Sequence, residues 1–543
     1  MTYFRYTYSL HLNCNSWALQ CGIGGDGFNI RRGRKTMKKI LIGLCVVGAV
    51  SYNVSATAAG KMHQHKFDKH LDKALRPLVN SLGLTGDPLL NRDVPDINSA
   101  QAQLGMDLFF SKSLGGDRDS ACVTCHHPLL GGGDRLSLPI GVESDVPDLL
   151  GKGRTNDDAE NHAGFPPVPR NAPTTFNVIA WDKFQFHDGR LESLNPQQGA
   201  NGSVGGIRTP NSAAGVADPL AGGNLVQAQA RFPVTSREEM KSFSHNSYSD
   251  QEIREFLAAR LAGYEGPQVV DANGNDVTDT VPLPETAHWI EKFRSVFNEP
   301  DTEVEELVTE QRVSMLIGEY ERSQAFGNTP WKRYVEGDNK AISAGAKRGA
   351  ILFYTSNMQG GANCSSCHSG DFFTDESFHN LAMPQVGEGK GDGDNGSKDF
   401  GRARETGLEQ DKFAFRTPSL VNVEVTGPWS HAGSYDSLEA VIKHHSNAAN
   451  AIENFDDSQL AIENVTNLDK MSANTLEALN APNFELETLN LSDMQVGFLV
   501  EFIQTLTDPC VKDRDCLAQW MPANDDDLNG DQLTAVDENG DLL

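Results

Sequence analysis

The sequence predicts a mostly α-helical protein in which one helical unit is used twice, and three observations predict it. Apolar residues recur at helical spacing along the chain, as in Val304 to Phe326 and Leu438 to His445, while strand-like alternation is scarce. Gly105-x-x-Leu108-Phe109-Phe110 in the first half returns as Gly349-x-x-Leu352-Phe353-Tyr354 in the second. Each copy is followed, 17 and 15 residues after its glycine, by a C-x-x-C-H motif.

Taken in chain order, residues 1–58 read as an upstream extension and a secretory signal. Met37-Lys38-Lys39, the apolar run Ile40 to Val50 and the small residues Ala56-Thr57-Ala58 have the charged, apolar and cleavable layout of such a signal. Translation is expected to start at Met37, with a mature chain from near Ala59 that is periplasmic or secreted. The apolar run is too short to span a bilayer. Removing residues 1–58, which carry seven Lys/Arg and one acid, takes the formal charge from -28 to -34. That balance argues against nucleic acid as a partner and favours either solubility alone or the steering of a basic protein donor.

The motifs are Cys122-Val-Thr-Cys125-His126 and Cys364-Ser-Ser-Cys367-His368. Two thiols three positions apart on one turn can each bond a vinyl group of one porphyrin, and the next residue then offers an imidazole to its iron. A zinc cluster is the competing reading of one such match, but no further Cys pair is present to complete one. The expectation is two cytochrome c-like domains, residues 59–335 and 336–522, each holding one covalently attached haem c. In each repeat an amphipathic helix is expected to turn its aromatic face toward the haem.

Of nine cysteines six remain after processing, and Cys510 and Cys516 are left either to pair in an oxidising compartment or to stay as free thiols. Long loops rich in Gly, Asn, Asp and Ala run from Gly141 to Pro169, Asn195 to Gly223, Gln268 to Thr280 and Gly387 to Phe400. They read as surface lids or partner contacts. The acidic tail, residues 523–543, includes Asp525, Asp527, Asn529 and Gly530, part of a calcium-loop pattern, but Val536 stands where the closing Glu belongs. It is expected to be solvated and mobile.

Four further segments accompany the haem motifs: Pro169-Arg-Asn171-Ala-Pro173-Thr174, Phe186-His187-Asp-Gly-Arg190, Phe415-Arg-Thr-Pro-Ser-Leu420 and Thr426-Gly-Pro428-Trp-Ser-His431. With these the chain resembles the bacterial di-haem cytochrome c peroxidases and their MauG-type relatives over roughly residues 100–505. The resemblance implies that peroxide binds at the first haem, on His126, and that electrons enter at the second, on His368. The Gln229-Ala-Arg-Phe-Pro233-Val segment and Glu239, ten residues beyond Gln229, match a family segment. Glu239 is thereby nominated as the general acid/base for O–O cleavage and Gln229 as its polar neighbour. A calcium ion between the domains is implied, held by the Asn171 side chain and the carbonyls of Thr426 and Pro428. The partners implied are hydrogen peroxide and a small redox protein, either a cytochrome c or a copper protein; a homodimer is compatible with the resemblance.

Two positions depart from the family. His187 stands where a Trp is common between the haems, as a cofactor-lining residue that weakens any aromatic relay. At the ninth position of the helix opening at Ser437-Leu438, where peroxidases carry Met and MauG-type enzymes Tyr, the chain has His445. His445 is therefore expected to ligate the second iron, with His444, Met471 and Met494 as the alternatives. His162, the one His in the loop before Pro169, is either a removable ligand of the first haem or a surface residue. The function expected is a peroxidase. A MauG-type oxidase acting on a partner protein and a non-catalytic di-haem electron carrier are the alternatives.

Overall fold

The computed structural model describes residues 69–279, 287–523 and 529–543. The expected extension and signal, residues 1–58, lie outside the described residues, as do Asp525 and Asp527 of the tail. No helix among the described residues is long and apolar enough to cross a membrane.

The helices that position the site are α1 (Ala100–Phe110), α2 (Cys122–Cys125), α3 (Leu225–Ala230), α4 (Asp250–Ala262), α5 (Glu310–Ser323), α6 (Ala344–Tyr354), α7 (Leu438–Ser446) and α8 (Asp493–Gln504). Side-chain oxygens open most of them. Ser99, Ser343 and Ser437 accept from the backbone N–H three residues on, and Ser249 with Glu252 and Ser492 with Gln495 form capping boxes. The expected single helix from Val304 to Phe326 is broken for the same reason. After a short turn, Val304–Leu307, Thr309 caps a new helix by accepting from the Arg312 N–H.

Strands are few and short: β1 (Phe184–Gln185), β2 (Leu191–Ser193) and β3 (Ile207–Arg208) form one antiparallel sheet, and β4 (Phe378–His379) pairs antiparallel with β5 (Phe415–Arg416). In the second pair His379 lies opposite Phe415.

The repeat seen in the sequence is a packing device. α1 runs along α5 and α6 along α8. A Cβ on Gly105 would come within 1.9 Å of the Leu316 carbonyl, and one on Gly349 within 1.8 Å of the Phe498 carbonyl. Each glycine thus lets two helix backbones touch, and the aromatic pair behind it closes the contact. Phe109 packs on Tyr320 with ring centroids 4.9 Å apart, and Phe353 on Phe502 at 5.1 Å. Of the two aromatic faces expected to turn toward a haem, Phe353 lines a cavity, whereas Phe109 and Phe110 are buried against α5 and His127.

The chain ends cross over. Leu75 and Val79, before the first unit, are buried in the core formed by α6 and α8, and Asp72 pairs with Lys347 at 2.7 Å. Val511, Leu517, Trp520, Leu533 and Ala535, from the other end, are buried in the core of the first unit. The boundaries expected at 335 and 522 therefore cut across the packing at both ends. Within the last segment Cys510 and Cys516 are disulfide-bonded.

The expectation of a solvated tail is overturned for residues 529–543. Leu533 N–H donates to Phe110 O at 2.8 Å, Val536 N–H to Asp148 O at 2.9 Å, and Leu150 N–H returns to Val536 O at 3.0 Å. Asp531, Leu533 and Ala535 turn inward while the residues between them face out, so a short strand-like alternation outweighs the acidic composition.

Candidate haem sites and their comparison with known proteins

Residues of both C-x-x-C-H units border one cavity of about 850 Å³. His126, Gln229 and Glu321 line it on one side, Cys364, Cys367, His368 and His445 on the other, and His187 and His431 between. Cys122 sits against the core of the first unit, and all four motif cysteines are unbridged.

The two motif histidines are held alike. His126 Nδ1–H donates to the Gly132 carbonyl at 3.2 Å, and His368 Nδ1–H to the Phe373 carbonyl at 3.1 Å. Each also has a proline carbonyl nearby, that of Pro173 for His126 and Pro418 for His368. Fixing Nδ1 as the protonated nitrogen leaves Nε2 with its lone pair for a metal, and the second interaction orients the ring. Burial lowers the pKa of both rings, His368 to about 4, so both are neutral, as a ligand must be.

His445 borders the same cavity as His368 and lies close enough to act on its charge. Its Nδ1–H donates to the Val441 carbonyl one helical turn back at 2.9 Å, which again leaves Nε2 free, and its charge is the second cause of the low pKa of His368. His444 is committed elsewhere: Nδ1 accepts from the Tyr435 hydroxyl at 2.7 Å and Nε2–H donates to the Leu381 carbonyl at 2.8 Å. Met494 is 69% exposed, and Met471 packs beside Leu138, Val386 and Ala432. Of the four side chains weighed for this position, only His445 both borders the cavity and keeps a free donor atom. Met383 also lines the cavity and had no sequence signal.

Among the described residues no imidazole charge acts on His126; His187, His379 and His431 also border the cavity. His162 is not on the cavity wall; its ring lies between Phe165 and Phe243, with centroids 5.3 and 5.0 Å away. Gln229 reaches the wall from α3. Glu239 is not on that wall but lies in a π-helical turn, Arg237–Lys241, where the Ser236 carbonyl accepts from the N–H groups of Glu239, Met240 and Lys241. Such wide turns are rare and tend to mark functional positions. Burial raises the pKa of Glu239, and the charges of Arg190 and Lys390 partly offset this. It also acts on the Cys125 thiol, which places it by the first attachment turn.

Between the two sides lies a buried charge relay. Arg170 donates to Asp399 at 2.6 and 2.8 Å and to Asp188 at 2.5 Å. Burial would raise both carboxyls, but the guanidinium holds them below the usual carboxylate range. His187 Nε2–H donates to the Asn171 carbonyl at 3.0 Å, and His431 stacks face to face on Phe415 at 3.6 Å. Both imidazoles are kept neutral by burial, with pKa values pushed down to about 4 and 3. Asn171, Thr426 and Pro428, expected around calcium, all border the cavity. The Asn171 amide N–H₂ donates to Leu136 O at 2.8 Å, which leaves its side-chain oxygen as the available donor atom.

Sequence reasoning passed over Glu321. It is 5% exposed on α5, its Oε2 has no partner, and burial raises its pKa to about 8. A signal was present, since Glu321 follows Ile317 by four positions on the inward stripe of the helix.

The residues fit haem c: paired unbridged thiols on two turns, imidazoles with Nε2 turned to a large cavity, and buried polar atoms without protein partners, Tyr354 Oη and Glu321 Oε2. Fold and donor set together are those expected of a protein that carries haem c. A family model described as di-haem cytochrome c peroxidase matches residues 99–340. The methylamine utilization protein MauG of Methylorubrum extorquens is 29% identical over 342 residues, 63% of this chain and 67% of that one. MauG of Methylophilus methylotrophus is 26% identical over 416 residues, 76% of this chain and 84% of that one. The cytochrome c551 peroxidase of Pseudomonas aeruginosa is 24% identical over 352 residues, 65% and 73% of the two chains. The chain is thus similar to the di-haem cytochrome c peroxidases over residues 99–340, and to both MauG proteins and cytochrome c peroxidases over most of its length.

Proposed function

We propose that the protein is a periplasmic di-haem peroxidase that reduces hydrogen peroxide to water with electrons from a small redox protein. The observation that carries this is the asymmetry of the two histidine sites: the charge of a second imidazole, His445, acts on His368, and among the described residues no imidazole acts in this way on His126. Haem c held by Cys122, Cys125 and His126, and by Cys364, Cys367, His368 and His445, would supply the redox chemistry for reducing peroxide and for passing electrons.

The chain's residues do the rest. Overall, peroxide takes up two electrons and two protons and leaves as two waters. The Glu239 carboxylate accepts the proton of the inner peroxide oxygen and returns it to the outer one, so that the outer oxygen departs as water. Gln229 orients the bound oxygens by hydrogen bonds. His187, His431 and Phe415 fill the space between the two sites. Asn171, Thr426 and Pro428 hold a calcium ion there that fixes the halves.

A second reading has support of its own. His445 replaces the Met of peroxidases, and two MauG proteins are among the relatives, so the same oxidising power is available to act on a partner protein instead. An imidazole in place of Met stabilises the ferric state, which suits storage of oxidising equivalents better than acceptance from a high-potential donor. Stopped-flow optical and EPR spectroscopy of the ferric protein with peroxide is the test. A high-spin signal that peroxide consumes, with turnover when a small redox protein is added, supports the peroxidase. Consumption without donor turnover supports the oxidase, and no high-spin signal before or after reduction supports a carrier.

A further inference from the structure

The loop Gly387 to Phe400 belongs by sequence to the second unit, yet it is built against the first. It closes as a hairpin: Lys390 N–H donates to Lys398 O at 2.9 Å, Lys398 N–H to Asp392 O at 3.1 Å, and Arg404 Nη1 to Lys390 O at 2.9 Å. Its base is wedged on the first unit. A Cβ on Gly387 would come within 2.3 Å of Leu138, and Leu138 shares a buried cluster with Val386 and Ala432. Three residues beyond Leu138, Gly141 lies so close to the π-turn that a Cβ there would be 2.6 Å from the Glu239 carbonyl. Val142 N–H donates to Glu238 O at 3.3 Å. Segment 138–142 is thus the layer between the hairpin and the turn that carries Glu239.

Two cations act on Glu239 across this layer, Arg190 and Lys390, and Glu238 opposes them from the same turn. Arg190 is engaged otherwise, 3.7 Å over the Phe186 ring and 3.4 Å from Asp188. The Lys390 ammonium has no ion pair or hydrogen bond among the described residues; the charges that face it are Arg170, Arg190, Glu239 and Asp399. A half-buried ammonium with its backbone fixed and no partner of its own is a charge held for a neighbour.

We propose that Lys390, delivered by the hairpin of the second unit, is a positioning residue for the first site: its ammonium keeps the Glu239 carboxyl in the ionised form that accepts the peroxide proton. The proposal rests on the reading of Glu239 as the acid/base group. Loss of the ammonium removes support from the carboxylate, so the Glu239 pKa rises and activity is lost at a higher pH on the acid side. Burial, with Arg170 and Arg190, lowers Lys390 itself to about 8, so its own deprotonation forms an alkaline limb.

Two measurements on the holoenzyme test this. The first is the pH profile of kcat/KM for peroxide in the wild type, K390M and K390R. K390M should move the acid limb up by about one pH unit, the size of an opposite charge removed at close range. K390R should keep the acid limb and lose the alkaline one. The second is the titration of the Lys390 amine by competitive acetylation and mass spectrometry in the wild type and E239Q, where loss of the carboxylate should lower its pKa. An unmoved acid limb in K390M, or an unmoved Lys390 titration in E239Q, overturns the proposal while leaving Glu239 its role. Wild-type turnover in E239Q overturns the reading of Glu239 and the proposal with it. Where K390M fails to incorporate haem, K390R and the acetylation measurement still decide.

Discussion

The two C-x-x-C-H units are near copies on one side of the cofactor and unlike on the other. His126 and His368 each donate through Nδ1 to a carbonyl five or six residues on, and each sits near the carbonyl of a proline from a later segment. The helix before each motif reaches its partner helix through a glycine. Across the cavity the likeness ends. The second unit brings up His445 from α7, with His444 held back by Tyr435 and Leu381. The first brings up Gln229 and, in a π-turn beyond, Glu239. On the proposed function, attachment needs the same chemistry twice, so the repeat is kept there, and the other side is where one copy is free to become a reaction site and the other an electron relay.

The comparison is broken most severely at the junction between the units. Asp399 comes from the second unit and Asp188 from the first, and both grip the buried Arg170. Replacing Asp399 with Asn leaves a buried guanidinium short of a counter-charge and should cost about 3–5 kcal/mol in unfolding experiments. The sign with pH follows from the direction of the shifts. Carboxyls held below their ordinary value of about 3.9 stabilise fully above it and lose that contribution as pH falls further. The stability gap between wild type and D399N should therefore be constant from neutral pH down to about 5 and narrow below about 4.

Next in size, Glu239→Gln should leave haem content and spectra in place and slow peroxide reduction by about 10²-fold, equivalent to about 2.7 kcal/mol of barrier. Steady-state turnover against peroxide checks it, and an unchanged rate removes Glu239 from the chemistry. The smallest effect sharpens the contrast within α7. Tyr435→Phe strips the buried His444 Nδ1 of its donor and should cost about 1–2 kcal/mol in thermal denaturation. Both haem signals should stay unchanged, because His444 is a structural residue in this account.

What the sequence could disclose follows from the range of the interactions. Attachment positions are legible because covalent chemistry fixes Cys122, Cys125 and His126 within one turn. The placement of His445 on the cavity wall is legible because the helical period sets it beside Val441 and Ile442, which also line the cavity, although His444 is the more deeply buried of the two histidines. That spacing is a local property. The partners that take His444 out of contention are not local: Leu381 lies 63 residues away, and Tyr435 reaches back over α7 from before its start. The docked tail escaped for another reason, since average acidity hid the alternation of Asp531, Leu533 and Ala535. The crossing of the chain ends and the placement of Lys390 beside the first site depend wholly on tertiary packing and left no mark in the local pattern.

The central claim is that one site is closed by two imidazoles and the other is open. EPR spectroscopy of the fully ferric holoprotein, compared with His445→Ala, tests it most directly. The account predicts one low-spin and one high-spin haem in the wild type, with the low-spin signal lost in His445→Ala and the high-spin signal of the first site unchanged. Survival of the low-spin signal in His445→Ala, or two low-spin haems in the wild type, would contradict it.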